Sequence, residues 1–342
     1  MSDVRDAVLA LLGRHAERPA GGQDDRRCRA AFAELAEHGW TRVGLPEDLG
    51  GHGGSLAEAA EVAEAASYHG AATPLADQVL IANAAAARLG MALPEAATCV
   101  LPVITDAGQG AAVPWASWAT HLLVADRAGG TALVPACEAR MTPGSNLSGL
   151  PSDLVELPGR VPGSDGADAA ELLMGLGALA RSVQIAAALR RCQDLSVTHA
   201  RQRRQFGKAL ADLPVIQHEL AALAGETAAA EAASRAAITA VMAATANTGP
   251  PQPGGMPALA IATAKVRAGL AATRGARSAH QIHGAMGITR EYELHVHTLS
   301  MWAWRDEYGA ERDWAQRLGV TVRSAPEGLW ASLVPASTSA QA

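Results

Sequence analysis

Residues 171–208 read ELLMGLGALARSVQIAAALRRCQDLSVTHARQRRQFGK. Apolar residues recur with helical periodicity from Glu171 to Gln202, and the charge gathers at the far end, in Arg201, Arg203, Arg204 and Lys208. A periodic run of this length is a long core helix. Working outward, Pro214–Asn247 is a second such segment, Ala-rich and with Gly225 as its internal glycine. Met256–His280 is a third, and Leu294–Leu318 a fourth, richer in Trp and charge. Thr248–Gly255 holds three prolines and three glycines and is expected to be a loop. Long helices joined in this way predict an up-and-down four-helix bundle over residues 166–325.

On the N-terminal side, residues 1–95 also read as helical. Val4–Arg14 and Arg29–His38 each carry an apolar face, with Gly39 as a C-cap candidate, and residues 76–90 form an Ala/Leu-rich helix. Leu45–Ser55 is a Gly-rich loop closing on Ser55, an expected N-cap for the next helix. No strand precedes that loop, so a plain interhelical connection is expected rather than a phosphate cradle. Residues 96–160 change character. The short runs Cys99–Ile104, His121–Ala125 and Thr131–Pro135, punctuated by Gly and Pro, predict a small antiparallel β-domain. Pro158–Asp165 reads as a linker, and residues 326–342 as a flexible tail. The fold class is therefore mainly α with a small middle β-domain.

The composition narrows the function. Apolar residues make up 49% of the 342, yet aromatics only 4%, so much of the apolar content is Ala, which suits close-packed helices. The net charge of -6, with no basic block, excludes an electrostatic nucleic-acid binder and a polybasic membrane anchor. The apolar runs look too short or too interrupted to span a bilayer. The N-terminus lacks a signal-peptide pattern. Cys28, Cys99, Cys137 and Cys192 are scattered, without metal-ligand spacing, and read as reduced thiols of a cytoplasmic protein.

Three motifs carry more. Arg203-Arg204-Gln205-Phe206-Gly207-Lys208 resembles the R-x-Q-F-G-K element of acyl-CoA dehydrogenases, with Gln217 following in the next helix. Gln281-Ile282-His283-Gly284-Ala285-Met286-Gly287 resembles that family's Q-x-H-G-G-x-G element. Gly39-Trp40, Pro46-Glu47 and Gly50-Gly51-His52-Gly53-Gly54 resemble its N-terminal G-W…P-E-x-x-G-G-x-G segment, and Val113-Pro114-Trp115-Ala116 the turn into its later strands. The matches run in the family's order over most of the chain.

The resemblance implies a helical N-domain, a middle β-domain, a C-terminal bundle and FAD as cofactor. Arg203 would pair with the FAD pyrophosphate, since a planar fork of donors suits phosphate oxygens. Gln205 and Phe206 would lie near the adenine. Backbone N–H groups around Gln281, Gly284 and Gly287 would approach the pyrophosphate of FAD bound mainly by a neighbouring subunit, an approach that glycine permits.

Two departures stand out. The family's early T-E and G-S-D elements, which wrap the flavin ring, are missing from Cys99–Gly110. The catalytic base is also displaced. In many members it is the Glu of a Y-E-G-T element; counted without gaps from Gly287, Tyr308 occupies that position and Glu307 precedes it. Where other members carry the base, the first bundle helix reads Met174-Gly175-Leu176-Gly177 without an acid, and Glu171 is nearly two turns early. Glu307 is the best candidate for the base. Glu291 is expected to shape a turn, and His283 and His295 to make structural hydrogen bonds. Trp302, Trp304 and Trp314 are expected to pack or to lie at a subunit interface. No metal site is expected.

The resemblance thus implies flavin-dependent α,β-dehydrogenation of an acyl thioester, CoA- or carrier-bound, with this chain as the short subunit of a heteromer. A second reading is a non-catalytic partner that completes another chain's flavin site. A third is an acyl-binding protein redirected to non-redox chemistry. The expected assembly is a homodimer or a heterotetramer with a homologous subunit. The electron acceptor and acyl group are left open.

Overall fold

In the computed structural model, residues 3–13, 25–107, 109–246 and 257–323 are described. The loop expected at Thr248–Gly255 and the tail over residues 326–342 lie outside them. The N-terminal layer comprises α1 (Asp3–Gly13), α2 (Asp25–Glu37), α3 (Leu56–Tyr68) and α4 (Asn83–Leu89). α4 is preceded by a π-helical stretch, Asp77–Ala82. Ser55 caps α3 through a capping box: its hydroxyl accepts from the Glu58 N–H at 3.2 Å, and the Glu58 carboxylate accepts from the Ser55 N–H at 2.7 Å. The Gly-rich loop before it is a connection closed by a Leu45–Gly53 bridge. The Arg42 guanidinium secures that loop to the segment after α4 by donating to the carbonyls of Gly50, Leu93, Pro94 and Ala97.

The middle of the chain forms two three-stranded sheets. β1 (Val100–Thr105), β3 (His121–Asp126) and β4 (Thr131–Pro135) make one, in the order β1-β3-β4. β2 (Ala111–Pro114), β6 (Ser152–Glu156) and β5 (Arg140–Thr142) make the other, in the order β2-β6-β5. The sequence reading of an antiparallel domain needs one correction, because β1 and β3 pair parallel, Val100 opposite His121. The crossover through β2 gives the chain room to return in the same direction, and β1 is almost wholly buried, as parallel strands are.

The bundle is built on α5 (Gly166–Gln202), flanked by α6 (Pro214–Ala246), α7 (Ala258–His283) and α8 (Leu294–Asp306). α5 is long and apolar enough to cross a bilayer by length and composition, contrary to the sequence reading. Yet 89% of that apolar stretch is buried inside the fold, and a helix apolar all round belongs in a core. α7 runs on through Gln281-Ile282-His283. The fourth segment is not continuous: α8 stops at Asp306, and α9 (Glu311–Arg323) starts anew and packs on α7. Between them Tyr308 (φ 54°) and Gly309 (φ 89°) take left-handed conformations that no helix accommodates. All four cysteines are free thiols.

Candidate functional site

Two groups of residues stand at different places along α5. The first surrounds a cleft. β1 and β2 contribute Pro102, Ile104, Val113 and Pro114; the segment between β5 and β6 adds Asn146 and Leu147; α5 adds Met174; and α8 with the turn after it adds Trp302 and Asp306–Gly309. The cavity is about 480 Å³ and mostly apolar in its walls. Glu307 is its half-buried carboxylate.

That carboxylate is fully engaged. Its Oε2 accepts from Arg181 Nε at 2.6 Å, and its Oε1 from Asn146 Nδ2 at 3.1 Å. Arg181 leaves 1% of its side chain exposed and also grips Asp77 in a bidentate pair, at 2.7 and 3.1 Å. Burial alone would lower the Arg181 pKa, but the carboxylates of Asp77 and Glu307 carry it above its ordinary value. Tyr308 packs its ring on Gly177, where a β-carbon would run into it, and 5.2 Å from the Arg181 guanidinium carbon. Burial, then the Asp77 charge, push its phenol well above the ordinary value, so it stays neutral.

Asp77 owes its position to the π-helical stretch, which aims three successive polar contacts inward. Asp77 meets α5, Gln78 accepts from the Val100 N–H of β1, and the Gln78 amide donates to Asn83 Oδ1 at 2.9 Å. Asn83 in turn donates to the carbonyls of Thr41 and Val43, both at 3.0 Å. A widened turn of this kind frequently sits beside a functional site. Here it ties the N-terminal layer, the β-domain and the bundle behind the cleft.

The second group lies at the C-terminal end of α5. Arg203 caps the helix and leads into a hairpin of β7 (Arg204–Gln205) and β8 (Lys208–Ala209). Phe206 (φ 52°) and Gly207 (φ 78°) form its tip, and Phe206 is 87% exposed. The end of α7 comes alongside, because the His199 and His283 rings stack at 4.6 Å. Gln281 and Gly284 are therefore exposed on the same end of the bundle as Arg203 and Gln205. Gly284 has φ 59° and ψ -140°, open to glycine alone, and among the described residues nothing lies within 4 Å of where a β-carbon would be. Gly287 is different: it is buried, and a β-carbon there would stand 3.0 Å from His283 Cβ and Leu294 Cδ2, so this glycine serves packing.

His283 donates from Nδ1 to the Ala279 carbonyl at 2.8 Å and receives the Tyr292 hydroxyl on Nε2 at 3.1 Å. Burial presses its pKa down to about 4. His295 bonds the Tyr292 carbonyl at 2.7 Å. Glu171 pairs with Arg317, and Glu291 is exposed. Trp304 and Trp314 are buried, whereas Trp302 lines the cleft.

The two groups are far apart. Arg181, which holds Glu307, and Arg203 are separated along one unbroken helix by 22 residues, roughly 33 Å at about 1.5 Å per residue. Arg181, Asp77 and Lys265, buried behind the cleft's floor, were not singled out from the sequence.

Residues 2–96 match the model of the acyl-CoA dehydrogenase N-terminal domain, and residues 164–306 that of its C-terminal domain. The chain belongs to the acyl-CoA dehydrogenase family. Acyl-CoA dehydrogenase IpdE2 of Mycobacterium tuberculosis is 29% identical over 312 residues, covering 86% of this chain and 88% of that protein. IpdE2 of Mycolicibacterium smegmatis is 25% identical, covering 93% and 97%. Among solved structures, the ChsE4-ChsE5 complex from Mycobacterium tuberculosis contains a chain with TM-score 0.80 at 20% identity, covering 95% of this chain and 97% of that one. A Tcur3481-Tcur3483 steroid acyl-CoA dehydrogenase variant gives TM-score 0.76 at 20% identity, covering 94% and 97%. These last two likenesses bear on the fold.

Proposed function

We propose that this chain is one subunit of a heteromeric, flavin-dependent acyl-thioester dehydrogenase, and that it lends the end of its bundle to an FAD held mainly by another chain. The observation that carries this reading is the separation of roughly 33 Å along α5 between the Arg203 end and the cleft. The short ribityl chain between a flavin's pyrophosphate and its ring cannot bridge that distance. A pyrophosphate on Arg203 therefore serves a ring outside this chain's own cleft.

The bundle end fits such a group. Arg203 makes no ion pair among the described residues, and Arg201, Arg204 and Lys208 add positive charge beside it. Gly284 offers bare backbone, and Phe206 an exposed ring. Arg203 would hold the pyrophosphate, Gln205 and Phe206 the adenine end, and Gln281 and Gly284 would close on the phosphates. When bound, the flavin supplies the hydride acceptor. The two relatives solved as two-component complexes support a companion subunit, as does the absence from Cys99–Gly110 of the elements expected to wrap a flavin ring.

Within this reading Glu307 is the carboxylate positioned to take an α-proton from an acyl group in the cleft. A second reading is favoured by one observation: both Glu307 oxygens are already engaged, by Arg181 and Asn146. In that case Glu307 is structural and the base belongs to the companion. The test is the visible absorbance spectrum of the purified chain, alone and co-expressed with a homologous partner. A flavin band in the complex and none in the chain alone supports the shared site; stoichiometric flavin in the chain alone refutes it.

A further inference from the structure

The turn after α8 is held by two buried cations from different helices. Arg181 of α5 takes the Glu307 side chain. Lys265 of α7, with 0% of its surface exposed, takes the backbone: its Nζ donates to the carbonyls of Trp304 and Glu307, each at 2.8 Å. Withdrawing an ammonium group from water is costly unless it is well bonded. Here it satisfies two carbonyls left without helical donors, because the chain departs from α8 at Glu307 (ψ 143°). The next carbonyl, that of Tyr308, accepts the Trp314 indole N–H at 2.8 Å. Three side chains from α5, α7 and α9 thus specify the turn that forms the floor of the cleft.

We propose that Lys265 is a positioning residue for the cleft. It does not line the cavity; it acts through the Trp304 and Glu307 carbonyls, fixing the Glu307 carboxylate and the Tyr308 ring as a rigid floor. What that floor meets rests on the reading of the cleft as an acyl site. The charged groups around Lys265 are Arg181 from α5, Arg305, Asp306 and Glu307 from the end of α8, and Glu311 of α9, which lies against Gly269 one turn further along α7. Burial and then Arg181 press the Lys265 pKa down to about 7, against the pull of Glu307 and Asp306.

The Trp314 indole is a built-in reporter of the turn, read by ¹⁵N–¹H spectra of the intact chain without flavin or substrate. In K265M the Trp314 indole signal should move and its exchange with solvent should quicken at least tenfold, while the Trp115 and Trp118 indoles of the β-domain stay in place. An unmoved Trp314 signal, or equal movement of all the indoles, overturns the proposal. If K265M does not fold, wild-type protein decides: the Lys265 side-chain amine protons should be protected from exchange with solvent and show nuclear Overhauser contacts to the backbone at Trp304 and Glu307. An amine that exchanges freely and shows no such contacts overturns the proposal. The measurement is independent of flavin binding, so it and the proposed function stand or fall separately.

Discussion

Arg181 Nε lies 2.6 Å from Glu307 Oε2 while its two terminal nitrogens face Asp77, so one buried guanidinium joins the N-terminal layer to the floor of the cleft. Removing it strands Asp77, which is 1% exposed, as a buried charge with no cation. R181M should therefore destabilise the chain by about 3–5 kcal/mol, the usual cost of breaking one side of a buried pair. D77N in the same background should recover part of that loss. Urea denaturation of the three proteins measures both effects.

Gly177 has no room for a side chain, because Tyr308 fills the place where a β-carbon would go. G177A should cost about 1–3 kcal/mol through overpacking of the α5–Tyr308 contact. The left-handed turn at Tyr308 should shift with it, which near-ultraviolet circular dichroism of the Tyr and Trp environments would register. An alanine that leaves both stability and spectrum unchanged contradicts the packing described for Tyr308.

The two readings of Glu307 separate in one variant. If Glu307 takes the α-proton, E307Q in the assembled complex should lower acyl-thioester dehydrogenation by about 10²–10⁴-fold, the range of a lost general base, with substrate binding retained. If it only pins the turn, the rate should change little.

The histidines at the bundle end give the chain an acid-sensitive segment. The folded value of His283 is about 4, below its ordinary 6.5, so between these values the unfolded chain binds a proton that the folded chain does not. Stability should be full above about pH 6.5 and decline as pH falls towards 4. Glu293, held down to about 2 by the His297 ring, whose Nε2 lies 3.7 Å away, and by Arg191, adds a further decline from about 4.5 downward. Denaturation midpoints measured from pH 7 to 4 should show the slope, and H283F should lessen it.

The sequence disclosed the architecture because its signals were local. The Glu171–Gln202 periodicity marked the central helix, Ser55 the start of α3, and the order of the glycine motifs the family. The parallel β1–β3 pair was hidden, since short apolar runs carry no direction. The break at Glu307–Gly309 was hidden for another reason. Gly309 alone is a weak stop signal; the bonds from Lys265 and Trp314 that fix the turn come from distant segments. A signal for the buried cations did exist. Arg181 stands within Leu179–Val183 and Lys265 within Ala262–Val266, each a lone charge on an apolar stretch. Such a charge must find a partner inside the fold, though nothing local names it.

On the proposed reading, Arg203 of this chain holds a cofactor whose ring belongs to another. The direct measurement is flavin content per complex after R203A in this chain alone, with the partner unaltered. Arg203 is exposed and bonds no other side chain among the described residues, so R203A should fold as wild type. Flavin affinity should nevertheless weaken by about 10–100-fold, the worth of a charge-assisted bond of about 1.5–3 kcal/mol. Full flavin occupancy with unchanged affinity in the R203A complex would contradict the shared site.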